Sequence, residues 1–213
     1  MNVLKDIKNE LFLFTIILLS IFFYKDFDKH IYNFFYKYGD LGIGVYFRQF
    51  FEEITILGDS QIYFVTSVLF IFAIFICKKL NFISYSKSSK AQSFIVLLLL
   101  NLTIVSLITQ LLKHIIGRVR PNSFVPEYHY FGEGLDFSFF TLNSNFHSFP
   151  SGHTTTIFIV CILLSAILPK LKYVFYITAI IVSLSRIVTG AHYLSDVVGA
   201  IILTLIIFKL INI

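Results

Sequence analysis

The stretch SFIVLLLLNLTIVSLITQLL (Ser93–Leu112) runs without a break into KHIIGRVRP (Lys113–Pro121). The first part is long and apolar enough to cross a bilayer as a helix, which takes about 20 such residues. The second part gathers Lys113, His114, Arg118 and Arg120 at the end of that span. A charged side chain in the membrane core costs on the order of 2.5–3.5 kcal/mol by insertion scales. Cations clustered at a span end therefore raise a functional question. The plain alternative is an anchor whose charged head snorkels to the interface.

Working outward, further apolar segments are Leu11–Tyr24, Gln61–Cys77, Thr154–Leu168, Tyr173–Val188 and Leu194–Ile211. The first is lengthened from Asn9, and with no A-x-A site after it, it reads as an uncleaved span rather than a signal peptide. The expected fold is all-α: a polytopic membrane protein with six transmembrane helices in one bundle, residues 1–213 forming a single domain. Between spans one and two, Leu41–Leu57 carries Tyr46, Phe47, Phe50, Phe51 and Ile54 at helical spacing. Arg48, Gln49, Glu52 and Glu53 lie between them, so this segment reads as an interfacial helix. The aromatic, Gly-containing stretch Asn122–Phe149 is too polar to span. It reads as an interfacial belt, with a lid over acyl chains as the alternative.

Composition agrees. Of 213 residues, 57% are hydrophobic and only 14% charged, against about 25% charged in soluble domains. Disorder is excluded by the same numbers. With only two cysteines, Cys77 and Cys161, a disulfide scaffold is excluded. There is no CxxC pair and no HExxH, so neither metal nor cofactor is expected. The net charge of +5 is spread along the chain, so no nucleic-acid partner is expected, and no obligate protein partner is evident. The loop KKLNFISYSKSSK (Lys78–Lys90) carries lysines and no acid, which places the termini in the cytoplasm. The loops after spans one, three and five then face outward.

That arrangement brings three polar clusters to one membrane face: Lys113–Pro121, Pro150-Ser151-Gly152-His153, and Ser185-Arg186 with His192 and Asp196. Lys113 and Arg120, seven apart, share a helix face if the helix continues. With Arg186 they are three cations suited to a phosphate dianion. Gly152 permits close backbone approach, and free N–H groups at the start of span four would point at the anion. His192 and Asp196 stand at i and i+4. On a helix this lets the carboxylate fix the imidazole tautomer and leave the other nitrogen nucleophilic.

Together, K-x6-R-P, P-S-G-H and S-R-x5-H-x3-D match, at every specified position and in order, the signature that the chain is identified by as resembling the type 2 phosphatidic acid phosphatase (PAP2) superfamily. The motifs cover Lys113–Asp196. The resemblance implies a metal-independent hydrolase of a lipid phosphate or diphosphate, in a bundle among membrane lipids. It implies that His192 attacks phosphorus to form a phosphohistidine, with Asp196 holding His192. His153 would protonate the leaving oxygen and then activate water. Lys113, Arg120 and Arg186 would bind the phosphate oxygens, with Ser151 and Gly152 assisting. Arg118 and His147 fall outside the signature and are expected as possible substrate contacts, with an anchor and a wall residue as the plain alternatives. The chain looks similar to the bacterial lipid A 1-phosphatase and undecaprenyl diphosphate phosphatase branches, with lipid A 1-phosphate favoured and phosphatidylglycerol phosphate a further alternative. Vanadium haloperoxidases share the signature but are soluble. A non-catalytic lipid-binding or transport protein on the same scaffold is the reading from another class.

Overall fold

The computed structural model of the chain describes residues 8–9, 11–16, 19, 25–39, 43–123 and 137–211. Its helices, in chain order, are α1 (Lys25–Gly39), α2 (Ile43–Ile54), α3 (Ser60–Lys79), α4 (Tyr85–Ile116), α5 (Gly152–Ile167), α6 (Lys172–Val188) and α7 (Leu194–Ile211). Among the described residues there is no strand, only an isolated bridge between Arg118 and Phe137. The expected first span is helical at residues 11–16 and 19; the rest of it, the N-terminal tail and residues 124–136 of the expected belt or lid lie outside the described residues.

Among the described residues four stretches are long and apolar enough to cross a membrane: Ser60–Lys79, Ser88–Ile116, Pro169–Val188 and Leu194–Ile211. α5 is equally apolar but has only 16 residues, about 24 Å of helix. It is also the most enclosed element. It packs on α4, α6 and α7, and every residue from Thr154 to Leu163 except Phe158 is buried. One core joins Leu102 and Val105 of α4, Ile159, Val160 and Leu163 of α5, and Leu203 and Ile207 of α7. A second seals α5 against α6 through Ile157, Cys161, Ala179 and Val182. By contrast α3 shows large apolar side chains outward, among them Val65, Leu69, Phe70 and Phe72. A helix that is apolar all round and exposed on one side is suited to lipid.

Two helices differ from expectation. α4 starts at Tyr85, two turns earlier than its apolar run, because SKSSKAQS has no breaker and continues the helix with polar side chains. α1 was not anticipated: Lys25–Gly39 is too charged to span, but its apolar Ile31, Tyr32 and Phe35 recur at helical spacing. It packs on α6 and α7 and carries Asp28 into the interior.

Candidate active site

α4 ends at Gly117, whose backbone is left-handed (φ 56°, ψ 47°) and whose N–H donates to the Lys113 carbonyl. A Cβ there would lie 1.8 Å from the Ser138 carbonyl oxygen, so the turn requires glycine. The expectation that Lys113 and Arg120 share one continuous helix face is therefore corrected. Lys113 stays in the last turn of α4, and the chain reverses at Gly117 to return Arg120 beside it. The Arg120 N–H donates to Asn145 O at 2.8 Å, which holds the segment in place.

After α6 the chain makes another tight turn. The N–H groups of Ala191 and His192 both donate to the Arg186 carbonyl, at 3.1 and 3.0 Å. This hairpin of backbone sets His192 against the end of α6, which accounts physically for the fixed spacing between Arg186 and His192.

A cavity of about 220 Å³ opens where these pieces meet. Its wall includes Lys113, Arg120, Gly152, His153, Arg186 and His192. A Cβ added at Gly152 would be 3.8 Å from the Lys113 ammonium nitrogen, so that cation faces the N-terminal end of α5. A helix N-terminus is itself positive, so cations converging on it repel unless an anion lies between them. Among the described residues none of the three cations has a carboxylate partner. Arg186 bonds the Thr55 hydroxyl at 2.6 Å and Arg120 the Ser144 carbonyl at 3.3 Å. Burial holds Arg120 below its ordinary value, against the pull of Asp196. Chemically the arrangement is suited to an oxyanion, with two histidines at its edge.

The model of the PAP2 superfamily matches residues 94–213. The chain belongs to that superfamily. It is 35% identical over 153 residues to a lipid A 1-phosphatase of Rhizobium johnstonii, an alignment covering 70% of this chain and 59% of that protein. It is 38% identical over 93 residues to a lipid A 1-phosphatase of Rhizobium etli, covering 44% of this chain and 38% of that one. The chain thus spans well under two thirds of the length of these relatives. The crystal structure of a transmembrane PAP2-type phosphatidylglycerolphosphate phosphatase from Bacillus subtilis superposes with a TM-score of 0.65 at 25% identity. That match covers 97% of this chain and 94% of the other.

Not every residue of the PAP2 signature lies on the cavity wall. Asp196 is fully buried behind His192. Its Oδ2 accepts from the Ser148 hydroxyl at 2.5 Å and the Tyr193 N–H at 2.8 Å, and its Oδ1 from Arg118 at 2.6 Å. His192 precedes α7 rather than standing on it, and its Nδ1 is 3.7 Å from Asp196 Oδ2, outside hydrogen-bond distance. The expected i, i+4 pairing on one helix is corrected accordingly: the contact crosses the helix start. Burial, aided by Lys113, Arg186 and Arg120 and opposed by Asp196, pushes the His192 imidazole down to about 3. The ring is then neutral at neutral pH. Ser151 is buried and off the wall. Its N–H donates to the Asp196 carbonyl at 3.2 Å, and its hydroxyl accepts from Thr154.

Arg118 is a second correction. Expected as a possible substrate contact, it is 0% exposed and turned away from the cavity. Its guanidinium binds Asp196 at 2.6 Å, Asp28 at 2.8 Å and the Ser195 hydroxyl at 2.7 Å, and lies 4.2 Å over the Tyr193 ring. Burial disfavours its charge, but the two carboxylates outweigh burial and hold it above the ordinary arginine value. His147 also faces away from the cavity. It shares the Thr141 carbonyl with His114 (3.1 and 3.0 Å), and the two rings meet edge to face. Burial lowers His147 below the usual histidine range.

Sequence reasoning missed Asp28, which caps α7 by accepting the Ser195 N–H at 3.1 Å and also accepts the Ser195 hydroxyl. No local pattern pairs residues 167 apart in sequence. It also missed Asp59, which caps α3 through the Gln61 N–H and lines the cavity. A third omission had a readable signal: Ser106, Thr109 and Gln110 line the cavity below Lys113, at helical spacing on an apolar span.

Proposed function

We propose that this protein is a lipid phosphatase that hydrolyses a phosphate from a lipid phosphate through a phosphohistidine, without a metal. The observation carrying this is the cavity in which Lys113, Arg120 and Arg186, none with a carboxylate partner among the described residues, surround His192 and His153. Three fixed cations do the charge stabilisation that a metal supplies elsewhere. His192 is neutral and attacks phosphorus in line. Its Nδ1–H closes the 3.7 Å gap to Asp196 as positive charge develops on the ring, since catalytic hydrogen bonds tighten in the reacting complex. His153 protonates the leaving oxygen and then takes a proton from the water that cleaves the phosphohistidine. Gly152 lets the α5 N-terminus approach the phosphate.

Lipid A 1-phosphate is the favoured substrate, supported by the names of the two rhizobial relatives. Phosphatidylglycerol phosphate is the second reading, favoured by the structural neighbour; undecaprenyl diphosphate stands behind it. We place the chain in the inner membrane as one domain with six spans, counting α5 and the apolar sequence segment Leu11–Tyr24, with α2 in the interface. A helix as short as α5 begins below the membrane surface, which puts the cavity at headgroup depth. The lysine-rich loop Lys78–Lys90 supports cytoplasmic termini and a periplasmic site.

The test is phosphate release in detergent with EDTA from lipid A, phosphatidylglycerol phosphate, undecaprenyl diphosphate and phosphatidic acid, beside His192→Ala. EDTA-resistant release that vanishes in the variant is expected. Lipid binding without release, or release that needs a divalent ion, overturns the reading.

A further inference from the structure

The catalytic cluster occupies only one end of the cavity. Along α4 the wall continues from Lys113 through Gln110 and Thr109 to Ser106. The spacing keeps these residues on one helix face, and seven residues carry the wall about 10 Å past the cations. Thr156 of α5 faces the same space. This extension has hydroxyls and an amide in place of further cations.

Thr109 is the informative member. It is 3% exposed, and its hydroxyl has no hydrogen-bond partner. Threonines elsewhere in these helices turn their hydroxyls back to the carbonyl four residues earlier: Thr66 to Ile62, Thr103 to Leu99, Thr178 to Val174 and Thr204 to Ala200, at 2.7–2.9 Å. Thr109 does not, although that bond is open to any helical threonine. A buried hydroxyl left unpaired is destabilising, and natural proteins keep few of them without a reason. Thr109 belongs to the cavity wall with its hydroxyl oxygen enclosed, so a turn of the side chain is what brings that hydroxyl to a ligand in the cavity.

We infer that Ser106, Thr109 and Gln110 form a subsite that reads free hydroxyl groups on the headgroup bearing the scissile phosphate. The ligand class is a phosphate ester of a polyol, either a sugar or a glycerol with a free hydroxyl. A second phosphate would call for cations at this wall, and a bare hydrocarbon for apolar side chains. A site built to bond a hydroxyl discriminates strongly against analogues that lack it, because its own polar groups are then left unpaired. The inference rests on the phosphatase reading above and sharpens its substrate.

The experiment compares kcat/KM on three lipids with matched acyl chains: phosphatidylglycerol phosphate, lipid A and phosphatidic acid, whose glycerol has no free hydroxyl. Thr109→Val keeps the shape and removes the hydroxyl. It should lower kcat/KM on a hydroxyl-bearing lipid about 10-fold relative to phosphatidic acid, as expected for one lost hydrogen bond. Thr109→Ser should restore the ratio, and Gln110→Leu should lower it independently. A fall confined to phosphatidylglycerol phosphate identifies glycerol as the group read; one confined to lipid A identifies the sugar. A ratio unchanged in both Thr109→Val and Gln110→Leu overturns the subsite while leaving the phosphatase reading intact. Wild-type protein that releases phosphate from none of the lipids overturns both.

Discussion

Arg118 and Arg120 are separated by one residue and have opposite surroundings. Arg118 is clamped between Asp28 and Asp196 with its charge fully compensated. Arg120 lines the cavity and, among the described residues, its side chain bonds a backbone carbonyl alone. The same contrast holds for the regions around them. Behind His192, an arginine, two carboxylates and two serine hydroxyls bond one another, with the Arg118 Nε left without a partner. In front of it, Lys113, Arg120 and Arg186 converge, and among the described residues none is paired with an acid, Asp59 on the same wall included. A closed network of charges holds a shape; cations left unpaired on a cavity wall are suited to a ligand of opposite charge. His192 stands at the boundary, positioned by the first and exposed to the second.

The sharpest break in this comparison is His192 itself. Replacing it with alanine should lower kcat by about 10⁵–10⁶-fold, the scale seen when a nucleophile is removed, with protein yield and melting temperature little changed. Removing Arg118 should act on the opposite property. Arg118→Ala strands two buried carboxylates, a loss of about 3–5 kcal/mol, read as a lower melting temperature in detergent. Double substitution with Asp28→Asn should recover part of it. Arg186→Ala belongs to the open set. It should cost about 10²–10³-fold in kcat, as for the loss of an oxyanion donor, with a melting temperature near wild type. If Arg118→Ala and Arg186→Ala fail in the same way, the division into closed and open networks is wrong.

A smaller effect tests how tightly the open side is built. A Cβ at Gly58 would lie 2.7 Å from the Cβ of His153. Gly58→Ala should therefore displace His153 and lower kcat about 10²-fold, the scale of a 1 Å misplacement, while substrate KM moves little. The smallest effect concerns pH. Folding carries His192 from 6.5 to about 3, burial being the main cause. Between those values the unfolded state binds the proton and the folded state does not, so stability rises with pH across this window and is lost on acidification. The slope contributed is at most on the order of 1 kcal/mol per pH unit. It should flatten in His192→Gln, measured as melting temperature from pH 6.5 down to 4.

Much of the candidate site was legible because its chemistry depends on residue types at short spacings. Lys113 to Pro121, Pro150 to His153 and Arg186 to Asp196 are each local, and tight turns at Gly117 and after Arg186 turn those spacings into positions. α1 was not legible as an element that matters, since its charged residues resemble a solvated face, yet Asp28 turns inward. The polar face Ser106–Thr109–Gln110 was legible in principle, for it interrupts an apolar span at helical intervals.

The amino-acid sequence by itself determined the apolar helices and the order in which three reactive clusters meet the ends of those helices. Each of these depends on the hydrophobic effect or on backbone geometry acting over a few residues. Only the tertiary structure decided which of two neighbouring arginines is compensated and which is left facing the cavity. That choice depends on a carboxylate 90 residues away in the chain, at Asp28, reaching Arg118 through the packed bundle. Electrostatics of this kind acts through space, and burial sets its strength, so it has no counterpart in local sequence pattern.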